Sequence, residues 1–394
     1  MAIDLARVRA ETPGLAHVLH LNNAGAALPP RPVTEAMIQH LRREAEIGGY
    51  EAAEEADATL EHCYDAIAQL LNCRREEIAF VENATRAWDM AFYGFRFQAG
   101  DRILTGKAEY ASNYIAYLQV ARRTGAVVEA IPDDEHGQIS LPALERAIDG
   151  KVKLIALTHV PTNGGLVNPA AEVGRIARAA GIPFLLDACQ SAGQLPLDVE
   201  RIGCDMLSAT GRKFLRGPRA TGFLYIRRAL MDRVEPPFLD LHAATWVAPD
   251  RYEMRSDARR FENWETNFAG KVALGVAVDY ALAQGLPAIE ARVKALAADL
   301  RERLGALAGV RVRDKGLMRC GIVTFTAEGM AAAELKSALA RRGINVSLSE
   351  ASGTLLDMNE RGLNAMIRAS VHYYNSEAEL ERFVAVLAEL IRAR

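Results

Sequence analysis

Cysteine is scarce and arranged in no framework: five residues in 394 (Cys63, Cys73, Cys189, Cys204 and Cys320), an odd number with no Cys-x-x-Cys pair. That spacing excludes zinc ribbons and disulfide-stapled secreted scaffolds; the expectation is reduced thiols in a cytoplasmic protein with no metal site. An excess of charge of either sign is also missing, with 47 Lys and Arg against 50 Asp and Glu spread evenly along the chain. Without a clustered basic face, a nucleic-acid partner is not expected, and a 50% hydrophobic content excludes a disordered chain. No stretch reaches the ~18–20 uncharged apolar residues of a membrane span. Asp4 and Arg7 interrupt the region where a secretory leader needs an apolar core. Membrane association is therefore not expected either. The common phosphate and zinc motifs, Gly-x-Gly-x-x-Gly after a strand, the Walker A loop and His-Glu-x-x-His, do not occur.

What is present is enough chain for two domains. Between residues 78 and 226, short apolar runs alternate with Gly/Asp/Asn-rich turns and longer stretches of helical spacing; the runs are 78–81, 102–105, 127–131, 154–158, 184–187, 206–209 and 222–226. A near-continuous apolar run suits a strand buried on both faces, so the pattern predicts an α/β domain on a mostly parallel sheet. Beyond about residue 270 the pattern predicts a smaller α+β domain. Its helices are expected over 271–282, 287–307, 331–342 and 376–394, and its strands over 310–313, 321–326, 345–347 and 365–370. Ser376, followed by Glu377 and Glu379, reads as the N-cap of the last helix.

Ligands of open parallel sheets sit at the carboxyl ends of the strands, so the polar residues there are the candidates. Asp187 follows three large apolar residues, where a carboxylate needs a cation or donors; capping the next helix would account for it as well. Lys213 follows the run 206–209 through Thr210, Gly211 and Arg212, and precedes Phe214 and Leu215. A lysine is most often a solvated surface charge, but this apolar setting would lower its pKa toward nucleophilic use. After the run 78–81, Asn83, Ala84 and Thr85 open a helix expected to reach about Phe95. They can hold an anion or simply cap that helix. Together, an amine, a strand-end carboxylate and an anion site are what pyridoxal 5'-phosphate (PLP) requires.

At Asp187, Ala188, Cys189, Gln190, then Thr210, Gly211, Arg212, Lys213, then Gly217 and Pro218, the chain resembles the class V aminotransferase family of PLP enzymes. The likeness runs from Leu21, Asn22, Asn23, Ala24 and Gly25 to the final helix, and is nearest the C–S lyase branch of ergothioneine-pathway type. The resemblance implies the type I PLP-transferase fold: a large domain over 18–270 with a seven-stranded, mostly parallel sheet, and a small α+β domain from 1–17 and 271–394. It further implies that Lys213 is the Schiff-base lysine, Asp187 the partner of the ring nitrogen, Gln190 a contact of the phenolic oxygen and Tyr110 the residue stacked on the ring. Ala84, Thr85, Thr210 and Arg212 would hold the phosphate, joined by Thr266 from a neighbouring subunit, which makes a homodimer with interfacial active sites. Arg368, with Asn23, would bind the amino-acid substrate, Arg368 taking its α-carboxylate.

Three departures from the family pattern bear on the reaction. Arg212 stands where His is usual, and Tyr110 stands where desulfurases have a stacking His. Desulfurases also keep a mobile-loop cysteine shortly before the carboxylate-binding arginine, whereas 347–364 contains none. The expectation is a PLP-dependent C–S lyase that eliminates a sulfur group from a cysteine conjugate or its sulfoxide, releasing pyruvate and ammonia. Transamination and epimerisation are the alternatives; cysteine desulfurase and selenocysteine lyase rank behind them. Arg255, Arg259 and Arg260 would bind an acidic substrate tail or form a solvated face.

Overall fold

The computed structural model describes residues 3–393. Seven strands form the larger sheet: β1 (Ile78–Val81), β2 (Arg102–Gly106), β3 (Val127–Ile131), β4 (Val152–Thr158), β5 (Phe184–Asp187), β6 (Met206–Thr210) and β7 (Gly222–Ile226). They lie in the order β1-β7-β6-β5-β4-β2-β3, parallel throughout except that β7 runs antiparallel to both β6 and β1. Each coincides with one of the seven apolar runs. The reason is visible along β5: Phe184 and Leu186 pack into one apolar core while Leu185 packs into another on the opposite face. Successive side chains point to opposite faces, so a strand with a core on each side must be apolar at every position. Each such Leu or Phe contributes roughly 1.5–3 kcal/mol by burial.

The second sheet is antiparallel, with β8 (Val310–Val312), β9 (Ile322–Ala327), β10 (Ser347–Glu350) and β11 (Ala365–Ser370) in the order β8-β9-β11-β10. The single strand expected over 345–347 is two pieces. Asn345 pairs in parallel with His20, whereas Ser347 pairs with Arg368, so the chain changes sheets at Val346. The helices Phe268–Gln284 and Leu286–Gly305 meet at Gly285, where the axis turns by 78°. Among the described residues no single helix is long and apolar enough to cross a membrane. The last helix, Glu377–Arg392, begins with Ser376 and Glu379 in a reciprocal capping box.

The helix after β1 spans Ala84–Phe92 and stops short of Phe95. Gly94 follows within two residues and lies so close to Val234 that a Cβ there would come within 2.5 Å of it. The hairpin Ala244–Ala248 and Arg251–Met254 was not anticipated, because its residues face outward and carry no alternating apolar signal; Trp246 and Tyr252 pair across it in the open.

Candidate active site

The carboxyl ends of β4, β5 and β6 and the N-terminus of the helix Ala84–Phe92 enclose a cavity of about 130 Å³. Ala84, Thr85, Tyr110, Asp187, Gln190, Thr210, Arg212 and Lys213 all line it, together with Asn113, Thr158, Thr162 and Cys189.

Asp187 ends β5 in register with Thr158 of β4 and Ser208 of β6. Its Oδ1 accepts from the Cys189 N–H at 2.8 Å and its Oδ2 from Asn113 Nδ2 at 3.0 Å. Burial pushes this carboxyl up, with the Cys189 N–H, Asn113 and the Lys213 charge opposing. Lys213 follows β6 on a loop closed by the Gly217 N–H donating to Gly211 O at 2.8 Å. Gly193 supports the loop from below: its φ is +92° and a Cβ would stand 2.3 Å from the Phe214 carbonyl carbon, so only glycine allows this approach. Burial lowers the Lys213 pKa, Arg212 and Arg368 add repulsion, and Cys189 and Asp187 partly restore it. An amine so placed is a nucleophile and a base.

At the other end, Asn83 caps its helix by accepting from the Arg86 N–H at 2.9 Å. First-turn N–H groups have no intrahelical acceptor, so Ala84 and Thr85 offer an anion their donors and the positive helix end. Gly222 of β7 passes directly beneath; a Cβ there would lie 2.9 Å from Asn83 Cα and 2.7 Å from Ala209 O. Arg212 adds a fixed charge and is anchored by Nη1 donating to Gly25 O at 2.8 Å. The Thr210 hydroxyl is committed to Thr221 O at 3.1 Å.

Gln190 donates from Nε2 to Ala24 O at 3.1 Å, while its buried Oε1 has no partner. Arg368 on β11 is buried and donates through Nη1 to Thr162, at 2.5 Å to Oγ1 and 3.2 Å to the carbonyl, while its Nε is also unpartnered. Burial lowers the Arg368 pKa to about 10. Unpaired buried polar atoms cost about 1–3 kcal/mol each, which a polar ligand would recover. A phosphate end with Arg212, a carboxylate for a basic ring nitrogen, an amine for an aldehyde and two unsatisfied polar atoms together fit PLP.

Three expected site residues lie outside the cavity lining. Arg368 reaches it through Thr162. Asn23 is fully buried, its Nδ2 donating to Ser370 O at 2.7 Å and its Oδ1 accepting from the Tyr374 hydroxyl. Thr266 lies in a separate surface depression with Leu41, Glu44 and Tyr50. The three arginines considered for a substrate tail are committed elsewhere: Arg255 pairs with Asp257 at 2.9 Å, Arg259 with Glu61 at 2.6 Å, and Arg260 donates to Met231 O at 3.2 Å. Among the described residues no group of three or more His, Cys, Asp or Glu is set to hold a metal ion.

The family model for aminotransferase class-V matches residues 19–383. The chain belongs to the class V aminotransferase family. It is accordingly a PLP-dependent enzyme of type I fold. Curated relatives include probable cysteine desulfurases of Xylella fastidiosa strain 9a5c, 33% identical over 98% of this chain and 95% of that one, and of Pyrococcus abyssi, 30% identical over 98% and 97%. Among solved structures, the cysteine desulfurase from Thermococcus onnurineus NA1 is 29% identical with a TM-score of 0.92, covering 100% of this chain and 99% of its own. The cystine C–S lyase C-DES, in complex with its product cysteine persulfide, shares the fold at 24% identity and a TM-score of 0.87, over 96% of this chain and 99% of its own.

Sequence reasoning missed Thr162, Asn113 and Glu109. The first two line the cavity, and Glu109 lies buried behind it. Thr162 had no signal of its own; Asn113 closes the segment 109–113 in which Tyr110 was matched to the family's stacking residue, but was given no role. Glu109 had a signal: an acidic residue three positions after β2, on a sheet whose other strand-end carboxylate, Asp187, was recognised.

Proposed function

We propose that the enzyme cleaves the C–S bond of cysteine or a cysteine derivative, and that its chemistry finishes as β-elimination. PLP, when bound, supplies an electron sink for charge developing at Cα. Arg368 pairs with the α-carboxylate in the forked geometry guanidinium favours, and Thr162 holds that guanidinium. Asp187 keeps the proton on the ring nitrogen. Lys213, its pKa lowered by burial, takes the proton from Cα. The Cα–H and Cβ–S bonds break, sulfur leaves with its substituent, and water completes release of pyruvate and ammonia.

One observation carries this ending: the segment 347–364 holds no thiol and is tied down. Asp357 pairs with Lys315 at 2.7 Å and with Arg361 at 2.9 Å, Lys107 pairs with Glu360 at 2.7 Å, and Asn163 donates to the Thr354 hydroxyl at 2.9 Å. A second reading, desulfuration, draws its support from the relatives, which are named cysteine desulfurases, and their names weigh against ranking the lyase first. In that reaction the substrate's sulfur passes to a thiol and alanine remains.

Products decide between the two. Incubation with L-cysteine, cystine, selenocysteine and S-substituted cysteines or their sulfoxides should give pyruvate and ammonia in equal amounts. Alanine and persulfide in place of pyruvate would establish desulfuration; amino transfer to a keto acid, or racemisation alone, would remove C–S cleavage altogether.

We further propose a cytoplasmic homodimer and a division into 18–270, which lines the cavity, and 1–17 plus 271–394, which contributes Arg368. Tyr50, which lines the Thr266 depression, and Trp264, two residues before Thr266 in the chain, are both exposed and favour a second copy covering that face. Sedimentation at micromolar concentration should give twice the chain mass.

A further inference from the structure

Behind Asp187 lies a second carboxylate that the reaction scheme leaves unused. Glu109 is 3% exposed and sits between β2 and the helix Ala111–Thr124. It accepts from the Thr105 hydroxyl at 2.8 Å, the Tyr110 N–H at 2.9 Å, the Thr158 N–H at 3.2 Å, the Thr158 hydroxyl and Asn113 Nδ2 at 2.8 Å. Three of the five, the Tyr110 and Thr158 N–H groups and the Asn113 amide, can only donate and between them reach both carboxylate oxygens, which favours the anion; the two Thr hydroxyls can donate or accept.

The link to the site is Asn113. Its amide nitrogen has two hydrogens, and it spends one on Glu109 Oε1 and the other on Asp187 Oδ2. Two carboxylates are thereby held either side of one side chain. Thr105, Thr158 and Asp187 terminate or nearly terminate the neighbouring strands β2, β4 and β5, so the cage is fixed to the most rigid part of the sheet.

We propose that Glu109 and Asn113 are positioning residues for Asp187: Asn113 fixes the angle at which Asp187 meets a ring nitrogen, and the Glu109 charge makes the pair demand a protonated one. The inference rests on PLP occupying the cavity and goes beyond that reading. Burial pushes both carboxyls up, and the Asp187 charge raises Glu109 further. Two buried anions with one shared amide form an unbalanced site unless a cation joins them. The charged or titratable groups facing them are Lys213 and Cys189 beside Asp187, Tyr117 and Tyr114 beside Glu109, and Arg212 across the cavity. Lys213 is the cation near Asp187; with its amine given over to PLP, a protonated ring nitrogen would be the positive charge that faces the two carboxylates.

The test uses PLP labelled with 15N at the ring nitrogen, bound to wild type, Glu109→Gln and Asn113→Leu, with the nitrogen shift followed against pH. Cofactor affinity and the melting temperature of the cofactor-free chains are measured alongside. Wild type should keep its ring nitrogen protonated across the range in which the fold is stable. Each variant should lose that proton about one pH unit or more earlier, the equivalent of one hydrogen bond to a charged group. Unchanged titration in a folded variant, or a wild-type ring nitrogen that deprotonates near neutrality, would overturn the inference; the second result stands even if neither variant folds. A wild-type chain that binds no PLP would instead refute the cofactor assignment.

Discussion

Lys315 bonds Asp357 at 2.7 Å and Asp133 at 2.9 Å, and so ties the segment before β11 to the loop that follows β3. Asp357 is 2% exposed and shares its other oxygen with Arg361, which itself donates to Arg313 O. A segment held this way is a fixed wall beside Asn163, and under the proposed elimination it has no sulfur to carry.

Removing that tie should free the wall. In Lys315→Met, Arg361 still neutralises Asp357, while the partly exposed Asp133 loses its ion pair, so the expected cost is about 1–3 kcal/mol rather than that of a wholly unpaired buried charge. Hydrogen exchange should rise in residues 351–361 and leave β5 and β6 unchanged. Equal exchange in wild type and variant would show that the ion pair holds nothing.

Arg368→Lys should raise KM for the amino acid about tenfold or more, because an ammonium cannot make the two parallel bonds of a guanidinium. Thr162→Val should act in the same direction and less strongly, since it removes only the hydroxyl that steadies Arg368 at 2.5 Å. The absorbance of the bound cofactor should not change in either. Normal KM in Arg368→Lys would place the substrate carboxylate elsewhere.

Acid should destabilise the fold in part through His159. Burial lowers its pKa to about 4. The unfolded imidazole titrates near 6.5, so between these values only the unfolded chain binds the proton, and stability is lost as pH falls from about 6.5 toward 4. The buried His20 and His372 are shifted in the same direction. Glu109 and Asp187, raised by burial, contribute with opposite sign. The comparison with His159→Asn isolates one group: urea denaturation of the cofactor-free chain should show wild type losing up to about 2 kcal/mol more than the variant between pH 7 and pH 5. Parallel pH profiles would rule His159 out as a contributor.

The legible part of the molecule is that governed by neighbours in sequence. β5 reads as a strand because Phe184, Leu185 and Leu186 must each enter a core, and Asp187 stands out because it breaks that rule. Lys213 is legible for the same reason, a cation placed just after a buried strand. What escaped depends on distant partners. Arg368 meets Thr162 from 206 positions away, and nothing near Thr162 announces that bond. Asn23 was assigned to substrate on resemblance, yet its side chain is committed to Ser370 and Tyr374 from the far end of the chain. Glu109 gathers donors from Thr105 to Thr158, a cage that exists only once β2, β4 and β5 lie side by side.

The roles assigned to the cavity all turn on Lys213. Borohydride reduction of the PLP-loaded enzyme followed by peptide mapping should find the pyridoxyl mass on Lys213, and Lys213→Ala should show neither that adduct nor turnover of a cysteine conjugate. An adduct on another lysine, or full turnover in Lys213→Ala, would refute the site.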